Sequence, residues 1–203
     1  LEAAQDGVLP IDDEMIAMLV SETHHLGQLV RDLQEIMLAE DQGLRIDRQR
    51  FDLRDICTEV VNSHAAIKPE VALTCSGESA VADADPLRIR QVVDNLVKNA
   101  LLHTPAGGTV DVNISASFNK GIITVTDSGE GIGPDDVAHV FDRFWRADGS
   151  RTRETGGSGL GLSISQAIVA AHDGTIEVHS QLGSGSRFIV TLPLSSGGSG
   201  TSQ

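Results

Sequence analysis

Gly121-Ile-Ile-Thr-Val-Thr-Asp127-Ser-Gly-Glu-Gly-Ile-Gly133 is the stretch on which the reading of this chain turns. Its first half alternates apolar and polar residues and is rich in β-branched side chains, the pattern of a half-buried strand. The strand ends on a carboxylate, and glycines follow at 129, 131 and 133. Glycines at alternating positions let backbone run close to a ligand or adopt positive φ, where a side chain would clash. An ionised carboxylate only accepts hydrogen bonds, so Asp127 suits a ligand that presents donors, such as the amino group of adenine. An Asp-Ser-Gly turn with no ligand fits the same residues. The rest of the chain has to decide.

Composition narrows the field. The 203 residues are 40% hydrophobic but only 3% aromatic, so the core is aliphatic. Acidic residues outnumber basic ones 29 to 15, a net charge of −14. That argues against a general nucleic-acid or anionic-membrane surface. A phosphate ligand would need backbone N–H groups, a few basic side chains or a metal. Cys57 and Cys75 have neither metal-ligand nor redox spacing and read as buried thiols of a reducing compartment. No apolar run approaches a membrane span, and no signal peptide opens the chain.

Upstream of the deciding stretch, residues 12–41 form one long helical pattern. Its seam is Ile16, Leu19, Thr23, Leu26, Val30, Leu33 and Met37, a 3-4-3-4-3-4 spacing that predicts a bundle or coiled-coil helix. A single amphipathic helix lying on its own domain is the alternative. Gly43 ends this helix. Residues 44–51 predict a short connecting strand, and Asp52 an N-cap for a helix reaching Lys68. Short strands are expected at Val71–Cys75 and from Val81. Asp85-Pro86 matches an N-cap followed by proline at the first helical position. The helix it opens carries Asn95, Asn99 and His103 at i, i+4 and i+8, on nearly one side. Asn is a mediocre helix former, so the row is either a solvent-facing stripe or the lining of a polar cavity.

Downstream, strands are expected at about 109–118 and 121–127, joined at Asn119-Lys120, followed by a short helix from Pro134 to Val140. Phe141, Phe144 and Trp145 then lie close together. Residues 147–158 have the Gly-rich, polar composition of a loop and include Arg151. Gly157-Ser-Gly-Leu-Gly-Leu162 opens a helix running to His172, and a glycine-rich helix N-terminus offers N–H groups to phosphates. Strands at about 174–180 and 186–193 close the pattern, and the Gly/Ser-rich residues 195–203 predict a disordered tail.

Four of these stretches stand in an order that resembles the catalytic domain of bacterial two-component sensor histidine kinases. They are Asn95-Leu-Val-Lys-Asn99-Ala-Leu-Leu-His103-Thr-Pro, Asp127-Ser-Gly-Glu-Gly-Ile-Gly133, Phe141-Asp-Arg-Phe144 and Gly157-Ser-Gly-Leu-Gly-Leu162, which are similar to that family's N, G1, F and G2 boxes. The resemblance implies an α/β (α+β) two-layer sandwich of the kind shared with gyrase and Hsp90. It has a mixed, mostly antiparallel sheet with helices on one face. Residues 44–194 would form this ATP-binding domain, and residues 1–43 part of a dimerisation hairpin whose second helix is 12–41.

The resemblance also assigns roles. Asp127 would accept from the adenine amino group, and Gly129, Gly131, Ile132 and Gly133 would admit base and ribose. His103 would pack on the base. Asn99 would ligate Mg²⁺ bridging the phosphates, with Asn95 beside it. Gly157, Gly159, Leu160, Gly161 and Leu162 would offer N–H groups to the β- and γ-phosphates, and Arg143 and Arg151 would stabilise the transferring group. ATP and Mg²⁺ are the implied cofactors. The implied partners are a response-regulator receiver domain and a second copy through the hairpin, with no nucleic acid. The location would be the cytoplasmic portion of a membrane-anchored protein.

Two departures stand out. Leu102 occupies a position that is often basic in the family. None of the seven histidines fits a His-Glu-x-x-(Thr/Pro) phosphoacceptor motif, which places the acceptor upstream of Leu1. An ATPase of the same fold is the nearest rival, but hydrolysis needs a general base, typically a Glu one helical turn before the metal-binding Asn. Asn95 stands there and cannot take a proton. A non-catalytic nucleotide-binding or dimerisation module is the second rival. Intact Asn99, Asp127 and glycines speak against it.

Overall fold

The computed structural model describes residues 45–145 and 159–195, together with Met15, Ile16, Leu19, Val20, Thr23 and Gly27 of the N-terminal helical stretch. Leu26, Val30, Leu33 and Met37 of the heptad seam lie outside these residues, as do Arg151 and Gly157. Ile16, Leu19 and Thr23 are helical, and Thr23 Oγ1 donates to the Leu19 carbonyl at 2.8 Å.

Eleven elements follow. They are β1 (Gln49–Asp52), α1 (Leu53–His64), β2 (Ala72–Gly77), β3 (Val81–Ala84), α2 (Pro86–His103), β4 (Thr109–Ser117), β5 (Lys120–Asp127), α3 (Pro134–Val137), α4 (Gly161–Ala171), β6 (Thr175–Gln181) and β7 (Gly185–Pro193). Five strands make one sheet in the order β2-β4-β5-β7-β6, and β1 pairs with β3 apart from it. Only β2 and β4 run parallel; the other neighbours are antiparallel. Alternation decides the faces. Val110, Val112 and Ile114 of β4, Ile123 and Val125 of β5, and Phe188, Val190 and Leu192 of β7 are all buried. Their neighbours Thr124, Thr126, Ile189 and Thr191 are half-exposed. The helices cover the buried side, so the mixed sheet with one helical layer is as expected.

Helix α2 is the central element of that layer, with Ile89, Val92, Val93, Leu96, Val97, Ala100 and Leu101 buried. The N-cap acts as its sequence predicts. Asp85 Oδ1 accepts from the N–H groups of Leu87 and Arg88 at 3.0 and 3.2 Å, and Oδ2 from Asp47 N at 3.1 Å. Its own N–H donates to Nε2 of His172 at 3.0 Å, which ties the start of α2 to the end of α4. Asp85→Ala should therefore cost about 2 kcal/mol, the upper end for a cap, because a third N–H loses its acceptor as well. Urea unfolding checks this, with Asp85→Asn expected to retain most of the stability.

Several boundaries differ from expectation. Helix α1 ends at His64 rather than Lys68. The Lys68 ammonium is used elsewhere: it donates to the carbonyls of Leu101 and Thr104 at 3.0 and 2.6 Å, closing the far end of α2. The β4–β5 turn falls on Phe118-Asn119 rather than Asn119-Lys120, with Phe118 at φ 54°. Helix α3 stops at Val137, three residues early, and continues as turns. Ser195, expected to start the tail, is fixed by its N–H to the Val81 carbonyl at 3.1 Å; residues 196–203 lie outside the described residues. Cys57 is fully buried, and burial pushes its thiol up, but Cys75 is only partly buried, with Sγ 3.7 Å from Thr58 Oγ1. Among the described residues, no helix is long and apolar enough to cross a membrane.

Candidate functional site

The site forms where α2, the end of β5 and the start of α4 converge. Asn95 and Asn99 are half-buried on one side of α2, and Asn95 lies against the first turn of α4. The Asn95 Nδ2 donates to the Gly161 carbonyl at 3.2 Å and to Ser165 Oγ at 3.4 Å. A carbonyl can only accept, so the amide orientation is fixed, and Asn95 Oδ1 makes no hydrogen bond to any described residue. The Asn99 amide makes no hydrogen bond to any described residue. Two amide oxygens are thus left available on one stripe.

Helix α4 begins without a side-chain cap. The N–H groups of its first turn therefore face outward with the positive end of the helix dipole behind them. A Cβ on Gly161 would lie 3.6 Å from Asn95 Cγ, so helix start and asparagine are in direct contact. Gly159 has φ 69°, and its carbonyl accepts from Phe144 N at 3.0 Å, which joins the glycine turn to the aromatic segment. Leu160 is buried beneath it, and Leu162 packs against the core.

Asp127 lies at the other end, 6% exposed. Its Oδ1 accepts from Gly129 N at 2.8 Å and Ser186 N at 3.2 Å. Oδ2 makes no such bond. No buried side-chain oxygen among the described residues lacks a partner, so Oδ2 reaches open space as an acceptor. Burial raises the Asp127 pKa; the two N–H bonds and nearby His103 oppose the rise, while Glu130 adds to it. His103 Nδ1 is 2.7 Å from Glu130 Oε1 at the rim.

The glycines of this loop answer to neighbours inside the protein. A Cβ at Gly131, φ 70°, would stand 2.0 Å from the Gln181 carbonyl oxygen, and one at Gly129 would stand 2.4 Å from the His103 carbonyl oxygen. Both positions are fixed by close backbone approach to α2 and to the β6–β7 hairpin. Ile132 N donates to Ser180 Oγ, and Gly133 lies beneath Leu182.

Arg143 is not brought to this cluster. It lines a groove of about 510 Å³ with Phe141, Gln166, Ala170 and Thr175 along the outer side of α4. Phe144 is exposed with φ 60°, and Trp145 is half-buried. Residues that sequence reasoning missed are Ser180, Gly185 and Ser186, which hold the Asp127 loop from the hairpin, and Ser165, which orients Asn95. The Gly183-Ser-Gly185-Ser motif was visible in the sequence, but its proximity to Asp127 depends on β5 pairing with β7.

The ionisation of Asp127 makes a testable statement. A carboxyl whose folded pKa lies above its unfolded value holds its proton more tightly in the fold. It therefore contributes stability below the unfolded value, and that contribution is lost as pH rises through the folded one. Ligand binding through Oδ2 needs the ionised form and runs the other way. Affinity for a donor-bearing ligand should fall as pH drops through the raised value, by up to about tenfold per unit. Asp127→Asn should flatten that profile, as titration calorimetry across pH would read.

Known proteins share this fold. The model of the family described as histidine kinase-, DNA gyrase B- and HSP90-like ATPase matches residues 84–196, more than half of the chain. Sensor histidine kinase RppB of Synechocystis sp. is 35% identical, over 96% of this chain and 45% of its own. Sensor protein kinase WalK of Staphylococcus haemolyticus is 32% identical, over 95% of this chain and 33% of its own. The chain thus spans between a third and a half of these curated relatives. Among solved structures, Acinetobacter baumannii histidine kinase AdeS superposes with a TM-score of 0.81 at 26% identity, covering 96% of this chain and 91% of that one. The chain belongs to the histidine kinase-, DNA gyrase B- and HSP90-like ATPase family, as the ATP-binding domain of a histidine kinase.

Proposed function

We propose that this chain binds Mg-ATP and transfers its γ-phosphoryl group to a histidine side chain, for relay to an aspartate of a response-regulator receiver domain. The observation that carries the reading is the row of Asn95 and Asn99 on α2, tied at Asn95 Nδ2 to a helix start that has no side-chain cap, with the buried acceptor of Asp127 at the opposite end. Phosphoryl transfer is mainly positioning and electrostatic stabilisation, so such a site is chemically sufficient. It also lets an acidic protein hold a polyanion without a basic surface.

In this reading Asp127 Oδ2 accepts from the adenine amine, and His103 flanks the base. The first-turn N–H groups of α4, with Gly159 and Gly161 allowing close approach, hold the β- and γ-phosphates. The donor set fits Mg²⁺. Among the described residues no three His, Cys, Asp or Glu side chains cluster as a metal site, and a neutral amide oxygen stands free at Asn99. Mg²⁺ commonly takes one or two protein ligands with the rest from phosphates and water. Asn99 Oδ1 would hold it, and the ion would supply charge neutralisation at the transferred group. Arg143 lines a groove that includes Ser163 of the first turn of α4, and in this reading its guanidinium would stabilise charge on the transferring group. Nucleotide occupancy has a precedent in full-length ShkA, solved with AMPPNP, whose chain superposes with a TM-score of 0.78 at 26% identity over 93% of this chain and 40% of its own.

The amide at Asn95 favours transfer over hydrolysis, since its nitrogen is pinned to Gly161 and Ser165 and no carboxylate takes its place. We assign residues 12–41 to the second helix of a homodimeric hairpin and the chain to the cytoplasmic portion of a membrane-anchored sensor. Incubation with γ-labelled ATP tests the activity. The chain alone should turn ATP over slowly and stay unlabelled, and a hairpin fragment bearing the family's His-Glu motif should acquire acid-labile phosphate. Rapid multiple turnover by the chain alone would establish the ATPase instead.

A further inference from the structure

Helix α2 ends without the left-handed glycine that closes many helices. Its C-cap, Thr104, is buried and extended, at φ −95° and ψ 122°. The carbonyls of a helix's last turn have no partner within it, so they are met from elsewhere. Those of Leu101 and Thr104 accept from the Lys68 ammonium at 3.0 and 2.6 Å. That of His103 accepts from Glu130 N at 3.3 Å. A cation at this end is also favoured by the helix dipole.

The end of α2 is thus held from two sides. Lys68 belongs to the loop between α1 and β2, and Glu130 to the glycine loop that follows Asp127. A Cβ on Gly129 would stand 2.4 Å from the His103 carbonyl oxygen, so the glycine loop lies directly on the turn that Lys68 holds. Other bonds knit the same region. Gly107 N donates to the Glu70 carbonyl at 2.7 Å, and Thr109 N to Ser128 Oγ at 2.8 Å. Neither uses the Lys68 ammonium, so both remain when it is removed.

We propose that Lys68 is a positioning residue for nucleotide binding: it fixes the last turn of α2 as the seat of the glycine loop, so that the nucleoside end of the site is formed before the ligand arrives. This rests on the reading of the Asp127 loop as the nucleoside end and the start of α4 as the phosphate end. Lys68 itself touches no ligand. Without its charge the Leu101 and Thr104 carbonyls lose their donor and the turn loosens. The Glu130–His103 bond then has to be remade on binding, a cost of preorganisation that falls on the nucleoside half of the ligand. The contact between Asn95 and the start of α4 lies about two turns back along α2 and is left as it was.

Lys68→Met keeps the side chain's length and removes its charge. Calorimetric titration with Mg-ATP and with Mg-tripolyphosphate, which has no nucleoside, tests the proposal. Mg-ATP affinity should fall by about three- to tenfold, the worth of one hydrogen bond, with Mg-tripolyphosphate affinity unchanged. In transfer to the hairpin fragment, KM for ATP should rise by the same factor at constant kcat. Lys68→Arg keeps a cation at the carbonyls and should restore ATP affinity. In the nucleotide-free chain, amide exchange in Lys68→Met should quicken at Glu130 and stay unchanged at Ile164 of α4, whose N–H bonds to the Leu160 carbonyl. Equal losses for both ligands, or a fall in kcat, would make Lys68 a general support of the fold and overturn the proposal. Lys68→Arg behaving like Lys68→Met overturns it too. Should Lys68→Met fail to fold by circular dichroism, Lys68→Gln supplies the reading, since a shorter neutral amide cannot hold both carbonyls. It must show the same ATP-specific loss, and unchanged ATP affinity rejects the assignment. A parent chain that binds neither ligand removes the nucleotide reading itself, whereas a parent that binds both, with Lys68→Met unaltered, removes only the role of Lys68.

Discussion

Replacing Gly185 with alanine should destabilise the chain by about 3–5 kcal/mol and abolish nucleotide binding together with the folded state's Asp127 geometry. Gly185 has φ 84°, and a Cβ there would stand 2.0 Å from the Asp127 carbonyl oxygen and 2.8 Å from its carbon. No rotamer relieves a clash with backbone, so the hairpin must move off the end of β5. Moving it breaks the Ser186 N–H bond to Asp127, leaving a buried carboxylate with one donor fewer. The left-handed φ adds about 1–2 kcal/mol for any residue with a Cβ. Gly183 provides the control. It has φ 76°, but a Cβ there meets nothing within 4 Å, so Gly183→Ala should cost only the conformational part. Against a typical total stability of about 5–15 kcal/mol, the two variants are easily separated by guanidinium unfolding. Equal midpoints would show that the hairpin yields without disturbing Asp127.

The contrast between these two glycines marks what was legible in the sequence. Strands β4, β5 and β7 were readable because one face is buried and their side chains alternate, a local signal. The Asp85-Pro86 cap was readable because its chemistry lies within four residues. The row Asn95, Asn99 and His103 was readable as a stripe, since helical spacing is fixed. What it faces was not, because Gly161 and Ser165 arrive from more than sixty residues away. The glycines at 129 and 131 were noticed and read as room for a ligand, yet their immediate neighbours are the carbonyls of His103 and Gln181. Helix α1 stops early for a similar reason. Nothing in its own propensity ends it at His64, but Lys68 is needed across the fold at the carbonyls of Leu101 and Thr104. Local chemistry showed which residues were unusual; tertiary pairing decided what each one serves.

Charge follows the same logic. A chain of net charge −14 repels phosphate on average, so an anion site has to be made locally. The uncapped start of α4 supplies partial positive charge from the backbone. The nearest α2 side chains on that side are neutral amides rather than carboxylates. Substituting a carboxylate at Asn95 would put a full negative charge against the Gly161 carbonyl and beside the phosphate subsite. The amide there is thus suited to both neighbours, and it also withholds the general base that hydrolysis requires.

Asn99→Ala should give an unusual pair of results: a fold at least as stable as the parent and a loss of Mg²⁺-dependent nucleotide binding. Stability should not fall, because the Asn99 amide makes no hydrogen bond to any described residue and its position is inside α2. Alanine is the better helix former, so a gain of about 0.5 kcal/mol is expected. Affinity moves in the opposite direction if Asn99 Oδ1 is the ligand. In the parent chain, a fluorescent ATP analogue should bind more tightly with Mg²⁺ than in chelator; in Asn99→Ala the two titrations should coincide. Transfer to an added hairpin histidine should drop by about 100-fold or more, the scale set by removing one electrostatic contact to a transferring group. Asn95→Ala should behave differently. It removes bonds to Gly161 and Ser165, so it should lower stability as well as affinity. A stripe that merely faces solvent predicts neither pattern. Unchanged affinity, with its Mg²⁺ dependence intact, in a stably folded Asn99→Ala would take the metal away from this residue. It would also leave the free amide oxygen on α2 without a function.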